Sequence, residues 1–139
     1  MLWMTDNLAD LEASDFLTYK KAIDAGVPAI MMGNVLCQSV TGEETTPCSL
    51  SSNAVKYVRN TMGFTGILMT DDLSDTTING VYSQDEAAVA AIKAGMSMIY
   101  VSTGFEGSYN AVLSAVNSGE ISAEQLDDAV GRILTIKGI

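Results

Sequence analysis

Three short apolar runs, each a few residues after a glycine, organise the chain. The runs are Ala29–Met32, Ile67–Met69 and Met98–Val101, and the glycines before them are Gly26, Gly63 and Gly95. Because the runs do not alternate apolar with polar residues, they predict strands buried on both faces, as in a parallel sheet. The glycines lie 37 and 32 residues apart, which is typical of repeated strand–helix units. The pattern therefore predicts an α/β fold with about three parallel strands.

Periodic apolar positions around these strands predict helices. The first helical stretch spans residues 7–25 in two pieces, with Ser14 as the N-cap of the second piece. Three more serines are predicted N-caps: Ser51, Ser83 and Ser122. The last two stand three residues before Glu86 and Gln125, which is the spacing of a capping box. A further helix is predicted over residues 106–118, and its apolar stripe is expected to face the core. The stripe consists of Tyr109, Val112, Leu113 and Val116.

Two stretches show neither the apolar runs of the strands nor the periodicity of the helices. Residues 37–50 are polar and long for a connection, which leaves two interpretations: a substrate-facing loop or a plain surface excursion. Residues 74–82 are predicted to form the loop after the central strand.

The composition excludes several classes of protein. The 139 residues are 47% hydrophobic, which favours one folded domain with a modest core. Since no apolar run approaches the ~18 residues of a membrane span, we expect no membrane insertion. The net charge of −10 leaves no basic patch for phosphates, so a nucleic-acid partner is not expected either.

The chain contains no histidine, which removes histidine-based triads, metal ligands and general bases from it. We predict no metal and no cofactor. Cys37 and Cys48 lack CxxC spacing, so two free thiols are favoured, with a surface disulfide as the alternative in a secreted protein. Residues 1–6 have neither a basic region nor a long apolar core, so they do not match a signal peptide. The compartment, cytoplasmic or secreted, stays open.

Two adjacent carboxylates, Asp71 and Asp72, follow the central apolar run. In α/β folds the functional groups collect at the carboxyl ends of such strands. Since successive side chains of a strand point to opposite sides, only one of the two is expected to enter a site. The residues alone leave three interpretations: a catalytic acid, a turn or helix N-cap, and a Mg²⁺ site that lacks a third ligand.

The segment from Met62 to Ser74 resembles the nucleophile segment of glycoside hydrolase family 3, in its β-N-acetylhexosaminidase-like branch. That branch carries a helix ending in Leu-Gly-Phe or similar, a Gly-Val/Ile strand and then Ser/Thr-Asp-Asp-Leu-Ser. Here the match is M-G-F-T-G-I followed by T-D-D-L-S. Two more segments are similar to the same family: A-I-D-A-G-V-P-A-I-M at residues 22–31, and L-D-D-A-V with R-I-L and K at residues 126–137.

The resemblance implies a partial (β/α)8 TIM barrel. Residues 1–139 would form the C-terminal half of a family 3 barrel, as a single incomplete domain, since a full barrel takes roughly 250 residues. The implied activity is that of a retaining β-glycosidase acting on terminal β-linked N-acetylhexosamine or glucose, so the implied partner is a carbohydrate substrate. Asp71 takes the place of the family nucleophile. Asp72, Ser74 and Asn34 are the predicted substrate-binding residues, with Asn34 at the place where the family often carries histidine.

The resemblance also implies that part of the site is missing. In this branch an Asp–His pair serves as the acid/base, and an upstream Lys-His and Arg hold the sugar; none of these maps to this chain. We therefore expect the isolated chain to be inactive. A three-strand slice leaves two sheet edges unpaired and one strand face without its barrel partner, so a homodimer or the missing N-terminal half of the barrel is expected to cover them. A non-catalytic half-barrel that serves binding or assembly is the alternative function.

Overall fold

Strands and helices alternate along the chain, as the glycine spacing predicts. The computed structural model of the protein describes residues 2–75, 78 and 80–139. Its strands are β1 (Leu2–Trp3), β2 (Ala29–Met32), β3 (Val35–Leu36), β4 (Ile67–Asp72) and β5 (Met98–Tyr100). Its helices are α1 (Leu8–Ala13), α2 (Asp15–Asp24), α3 (Gln38–Thr41), α4 (Ser52–Lys56), α5 (Gln84–Ala94), α6 (Phe105–Asn117) and α7 (Ala123–Lys137). There is also a 3₁₀ turn at Cys48–Leu50 and a π-helical turn at Tyr57–Thr61.

The main sheet is parallel, with the strand order β2-β4-β5. Met31 of β2 stands opposite Met69 of β4. The predicted α/β fold with three parallel strands and flanking helices is confirmed. β4 extends past the predicted apolar run and includes both Asp71 and Asp72. A second parallel ladder joins β1 to β3, and the sequence pattern does not predict it because strands of two residues carry no periodic signal.

One face of the main sheet is buried against helices. Ile30, Met32 and Leu68 lie on this face and belong to one hydrophobic core with residues of α4 and α5. Helix α5 supplies mostly alanines to this core: Ala87, Ala88, Ala91 and Ala94. Since alanine side chains are short, the helix axis can lie close to the strands. This packing fixes the sheet from the outside of the partial barrel.

The opposite face of the sheet is partly exposed. Met31, Met69 and Met98 stand side by side across the three strands, and we call them the methionine row. Met31 and Met98 are 47% and 40% exposed, and Tyr100 of β5 is 43% exposed. The prediction that the strands are buried on both faces is therefore wrong for β2 and β5 in this chain. No second layer among the described residues covers these positions.

Three of the four predicted serine caps form. Ser51, Ser83 and Ser122 each accept a hydrogen bond from a backbone N–H of the first turn, and the last two complete their capping boxes. Ser14 marks the break between α1 and α2, but the prediction that it caps α2 is wrong. Its hydroxyl instead donates to the carbonyl oxygen of Asp10 at 2.6 Å. A serine hydroxyl can satisfy the end of one helix or the start of the next, and here it satisfies the end of α1.

Helix α6 forms where it is predicted but packs partly by a different face. Tyr109 and Leu113 of the predicted stripe are exposed, whereas Ser108 and Ala115 are buried. The small residues are on the buried face because α6 packs against the alanine-rich α5. Phe105, at the start of α6, stacks on Tyr109 with 5.8 Å between ring centroids. The prediction that the apolar stripe faces the core is therefore wrong for its two largest members.

The segment 37–50 packs against the body of the protein. It contains α3 and the 3₁₀ turn, and Pro47 forms an antiparallel bridge with Leu36. Thr41 and Ser49 are fully buried, and the Thr41 hydroxyl donates to backbone carbonyl oxygens. The interpretation as a plain surface excursion is therefore wrong for the buried parts of the segment, residues 37, 41, 47, 49 and 50, whereas residues 42–45 between them are exposed. Its contact with a substrate stays a prediction.

Part of the predicted loop 74–82, namely residues 76, 77 and 79, lies outside the described residues. Within the described ranges, none of the helices combines the length and the apolar character that crossing a bilayer requires.

Candidate active site

The candidate site lies at the carboxyl end of β4, the middle strand. Asp71 and Asp72 are the last two residues of that strand, and both are half-buried. Of the polar residues predicted around them, Ser74 follows β4 itself and Asn34 follows the neighbouring strand β2, and both lie at this end because parallel strands end on the same rim of the sheet. The structure brings Asn34, Asp72 and Ser74 together by hydrogen bonds at this rim.

A register shift between β4 and β5 falls on Asp71. Met69 pairs with Met98 and Asp72 pairs with Tyr100, so two residues of β4 stand opposite one residue of β5 between these pairs. Such a bulge bends the strand and re-aims a side chain, and bulges are common beside active sites. One carboxylate oxygen of Asp71, Oδ1, accepts the N–H of Asp72 at 2.8 Å. The bulge and this bond fix the backbone on which Asp71 stands.

Asp72 ties two loops to the rim. Its Oδ1 accepts the backbone N–H of Ser74 at 2.9 Å and that of Ser102 at 3.0 Å. Hydrogen bonding by the Ser102 hydroxyl, together with the amides of Ser74 and Ser102, lowers the pKa of Asp72 from 3.8 to about 2. The ionised form is favoured because both loops donate to it. Asp72 thus joins the loop after β4 to the loop after β5.

Ser74 extends the same connection. Its hydroxyl donates to the carbonyl oxygen of Thr103 and accepts the Thr103 N–H, both at 3.2 Å. The side-chain amide of Gln84, at the start of α5, donates to the same Thr103 carbonyl oxygen at 2.8 Å. The polar groups of Ser74 are therefore engaged with the neighbouring loop.

Asn34 holds β4 from the other side. It is buried, and its Nδ2 donates to the backbone carbonyl oxygen of Asp72 at 2.9 Å. Its Oδ1 accepts the hydroxyl of Ser49 at 2.7 Å. Both ends of the Asn34 amide are thus bonded within the protein, and Asn34 positions the tip of β4. The sequence does not predict the part that Ser49 plays here, because an isolated serine in an irregular segment carries no pattern.

Both cysteines are free thiols. Cys37 is buried, and burial above all raises the pKa of the Cys48 thiol to about 11. A thiol with a raised pKa is protonated at neutral pH and is a weak nucleophile. Within the described residues, no three His, Cys, Asp or Glu side chains are grouped so as to hold a metal ion.

Comparison with known proteins identifies the class of protein to which this fold belongs. The family described as Glycosyl hydrolase family 3 N terminal domain matches residues 3–136. A glycoside hydrolase family 3 β-N-acetylglucosaminidase from Paenibacillus sp. str. FPU-7 superposes with a TM-score of 0.92 at 35% sequence identity. That match covers 98% of this chain and 26% of the Paenibacillus chain. The class is therefore that of parallel α/β glycosidase barrels.

More narrowly, the chain belongs to glycosyl hydrolase family 3, within the N-terminal domain of that family. A β-N-acetylglucosaminidase/β-glucosidase of Cellulomonas fimi is 24% identical over 96% of this chain. A β-hexosaminidase of Xylella fastidiosa (strain 9a5c) is 29% identical over 90% of it. The chain spans 25% and 36% of the lengths of these two relatives. The resemblance in the sequence analysis is thereby confirmed.

Proposed function

We propose that this chain is the nucleophile-bearing C-terminal half of the barrel of a retaining β-glycosidase. The proposed substrates carry a terminal β-linked N-acetylhexosamine or glucose. The names of the Cellulomonas and Xylella relatives support this sugar class. The observation that carries the proposal is the position of Asp71 at the carboxyl end of the middle strand, on a tip held from both sides.

The proposed reaction has two steps. The ionised carboxylate of Asp71 attacks the anomeric carbon while the bond to the leaving oxygen breaks, which gives a covalent glycosyl-aspartate. Water then attacks the anomeric carbon and releases Asp71. A second acidic function must protonate the leaving oxygen and then activate the water. That function, and the groups that hold the sugar, are proposed to lie in the rest of the barrel.

We propose positioning tasks at the sugar site for Asp72, Ser74 and Asn34. Their polar atoms hold the rim: Asp72 and Ser74 join two loops, and Asn34 fixes the tip of β4. A rigid nucleophile is favourable because a misplacement of about 1 Å can cost ~100-fold in rate.

The test of this proposal requires a complete barrel, in which this chain is joined to a first barrel half. That half is either encoded upstream of Met1 or grafted from the Paenibacillus enzyme. The complete barrel is treated with a glycosyl fluoride that carries a second fluorine at ring carbon 5 and is analysed by peptide mass spectrometry. We expect one sugar bound to Asp71, none in the variant Asp71→Asn, and normal labelling in Asp127→Asn, which removes an exposed carboxylate of α7. An unlabelled wild-type barrel, or a label on another residue, would contradict the proposal.

The isolated chain is proposed to lack hydrolase activity, because it carries no match to the acid/base loop. An aryl β-N-acetylglucosaminide measures this directly. Turnover by the isolated chain that is abolished by Asp71→Asn would overturn this part of the proposal.

The alternative function is a non-catalytic half-barrel used for binding or assembly. The partly exposed methionine row favours it, since an apolar face of this kind needs a partner. Binding of an N-acetylhexosamine glycan by the isolated chain, together with a complete barrel that shows neither turnover nor labelling of Asp71, would support this alternative over catalysis.

A further inference from the structure

The bulge that carries Asp71 also contains a buried hydroxyl. Between the pairs Met69–Met98 and Asp72–Tyr100, the two unpaired positions of β4 are Thr70 and Asp71. Thr70 has an exposed fraction of 0%. A polar group with no access to water must find a partner inside the protein. The Thr70 hydroxyl therefore needs a hydrogen-bond partner within the protein.

The hydroxyl completes the hydrogen bonding between the two strands. Below the bulge, the Ser97 N–H donates to the Leu68 carbonyl oxygen at 2.8 Å. Above the bulge, the Leu73 N–H donates to the Tyr100 carbonyl oxygen at 3.0 Å. At the bulge itself, the Tyr100 N–H donates to Oγ1 of Thr70 at 3.0 Å. A side-chain oxygen thus takes the place that a backbone carbonyl oxygen has in a regular ladder.

This contact restrains the backbone beside the proposed nucleophile. An extra residue in a strand leaves the ladder locally unpaired, and the bulge then needs another bond to keep one geometry. The Thr70 hydroxyl supplies that bond one residue before Asp71 and holds β4 to β5. Asn34, in the connection between β2 and β3, holds the same tip through the Asp72 carbonyl oxygen. The two contacts act on opposite edges of the strand.

We propose that Thr70 is a positioning residue for Asp71: its hydroxyl replaces a backbone acceptor at the bulge and so fixes the direction of the nucleophile. This inference rests on the proposed glycosidase function. Thr70 itself touches no reacting atom. Its removal is expected to lower the rate of the step in which Asp71 attacks, while sugar binding by the rest of the barrel is retained.

The test compares four variants in the complete barrel. Thr70→Val keeps the shape and removes the hydroxyl, and Thr70→Ser keeps the hydroxyl and removes a methyl group. We expect Thr70→Val to lower kcat and the labelling rate of Asp71 by roughly 10–100-fold, while KM stays within about twofold of wild type. For Thr70→Ser, we expect kcat, the labelling rate and KM each to stay within about threefold of wild type. Ser97→Ala changes a buried serine on the other end of β5 and is expected to leave kcat unchanged. Thr70→Ala serves if Thr70→Val does not fold, since the step from serine to alanine removes only the hydroxyl.

A structural readout accompanies the kinetics. The amide of Tyr100 is expected to exchange its hydrogen for deuterium faster in Thr70→Val than in wild type or Thr70→Ser. A folded Thr70→Val or Thr70→Ala variant with wild-type kcat, or a folded Thr70→Ser variant as slow as Thr70→Ala, would overturn the inference. Absence of labelling at Asp71 in the wild-type barrel would instead refute the proposed function, and the Tyr100 exchange rates would still report whether Thr70 holds the bulge.

Discussion

The buried side chain of Asn34 stabilises the carboxyl end of β4, the middle strand. Its amide donates to the Asp72 carbonyl oxygen and accepts the Ser49 hydroxyl. A buried polar group that loses its partner costs free energy because water cannot replace the bond. The segment 37–50 and the end of β4 therefore depend on each other through Asn34.

Replacing Asn34 by alanine is expected to lower the free energy of unfolding by about 1–3 kcal/mol, because a carbonyl oxygen and a hydroxyl lose their partner in a buried place. Urea denaturation of the chain measures the change. Ser114→Ala, which alters an exposed position of α6, is the control and should stay within about 0.5 kcal/mol of wild type. Equal stability of the Asn34→Ala variant would show that the contact is unimportant for the fold.

The lowered pKa of Asp72 predicts that the stability of the fold depends on pH under acidic conditions. Its pKa in the folded protein is about 2, below the ordinary value of 3.8, so the ionised form is favoured by folding. The resulting stabilisation is present above about pH 4 and is lost as the pH falls towards 2. Thermal unfolding midpoints of wild type and Asp72→Asn, measured from pH 5 to pH 2, should therefore converge as the pH decreases. A constant difference between them over this range would contradict the assignment.

Among single residues, the sequence predicts those that belong to a motif. Asp71 and Asp72 follow a recognisable apolar run, and Asn34 follows another, so their place at one rim could be predicted. Ser49 and Ser102 could not, because they reach the site through irregular segments whose course depends on tertiary packing. The roles of Asp71, Asp72, Ser74 and Asn34 on a sugar stay predictions.

At the scale of elements, the entry to β4 is tightly packed. A Cβ built on Gly66 would lie 2.7 Å from Cζ of Phe64 and would collide with the Pro28 carbonyl oxygen. The guanidinium of Arg59, on the π-helical turn, donates to the carbonyl oxygens of Phe64 and Gly66 at 3.1 and 2.6 Å. Gly66 is therefore a position where the absence of a side chain is required by space.

The variant Gly66→Ala is expected to lower the free energy of unfolding by about 1–3 kcal/mol, because backbone and ring atoms must move to admit the methyl group. Gly131→Ala is the matched control. It lies inside α7 with open space around its Cβ, so it should raise stability by roughly 0.5–1 kcal/mol. Chemical denaturation distinguishes the two. A neutral Gly66→Ala would mean that the loop before β4 relaxes freely.

Elements with local signals could be predicted, and elements set by packing could not. The capping boxes at Ser83 and Ser122 form as predicted, because their bonds close within one helical turn. Of the predicted stripe of α6, Val112 and Val116 pack against the core, whereas Tyr109 and Leu113 are exposed, since the neighbour of a helix decides which side is buried. The π-helical turn has no local signal in the sequence, and it places Arg59 against the entry to β4.

For the whole molecule, the main feature is that helices cover one face of the sheet and leave the other partly exposed. The three parallel strands of the main sheet, as far as the described residues show, amount to fewer than half of the strands of a (β/α)8 barrel. The outer face of the sheet has its helices, whereas the methionine row on the other face has no cover among the described residues. Composition and periodicity cannot reveal this, because strands of an open and a closed barrel carry the same apolar runs.

The isolated chain is expected to self-associate through the methionine row, because exposed apolar side chains and unpaired strand edges favour association. Light scattering coupled to size exclusion should give a mass above that of one chain. The double variant Met31→Lys with Met98→Glu should shift the mass towards the monomer, whereas Leu17→Lys, on the exposed side of α2, should not. A wild-type chain that elutes as a compact monomer would contradict this expectation and would leave the missing barrel half as the proposed partner.

The methionine row also makes barrel closure chemically measurable. Thioethers that meet solvent are converted to sulfoxides by dilute peroxide, whereas enclosed ones react slowly. Met31 and Met98 should therefore gain oxygen quickly in the isolated chain once it is diluted to a monomer, with the enclosed Met96 as an internal reference at 1% exposure. When the remaining strands are present, the two fast sites should become as slow as Met96. Tandem mass spectrometry of the tryptic fragments 22–56 and 94–132, which separates Met31 from Met32 and Met98 from Met96, would then report whether the barrel is open or shut.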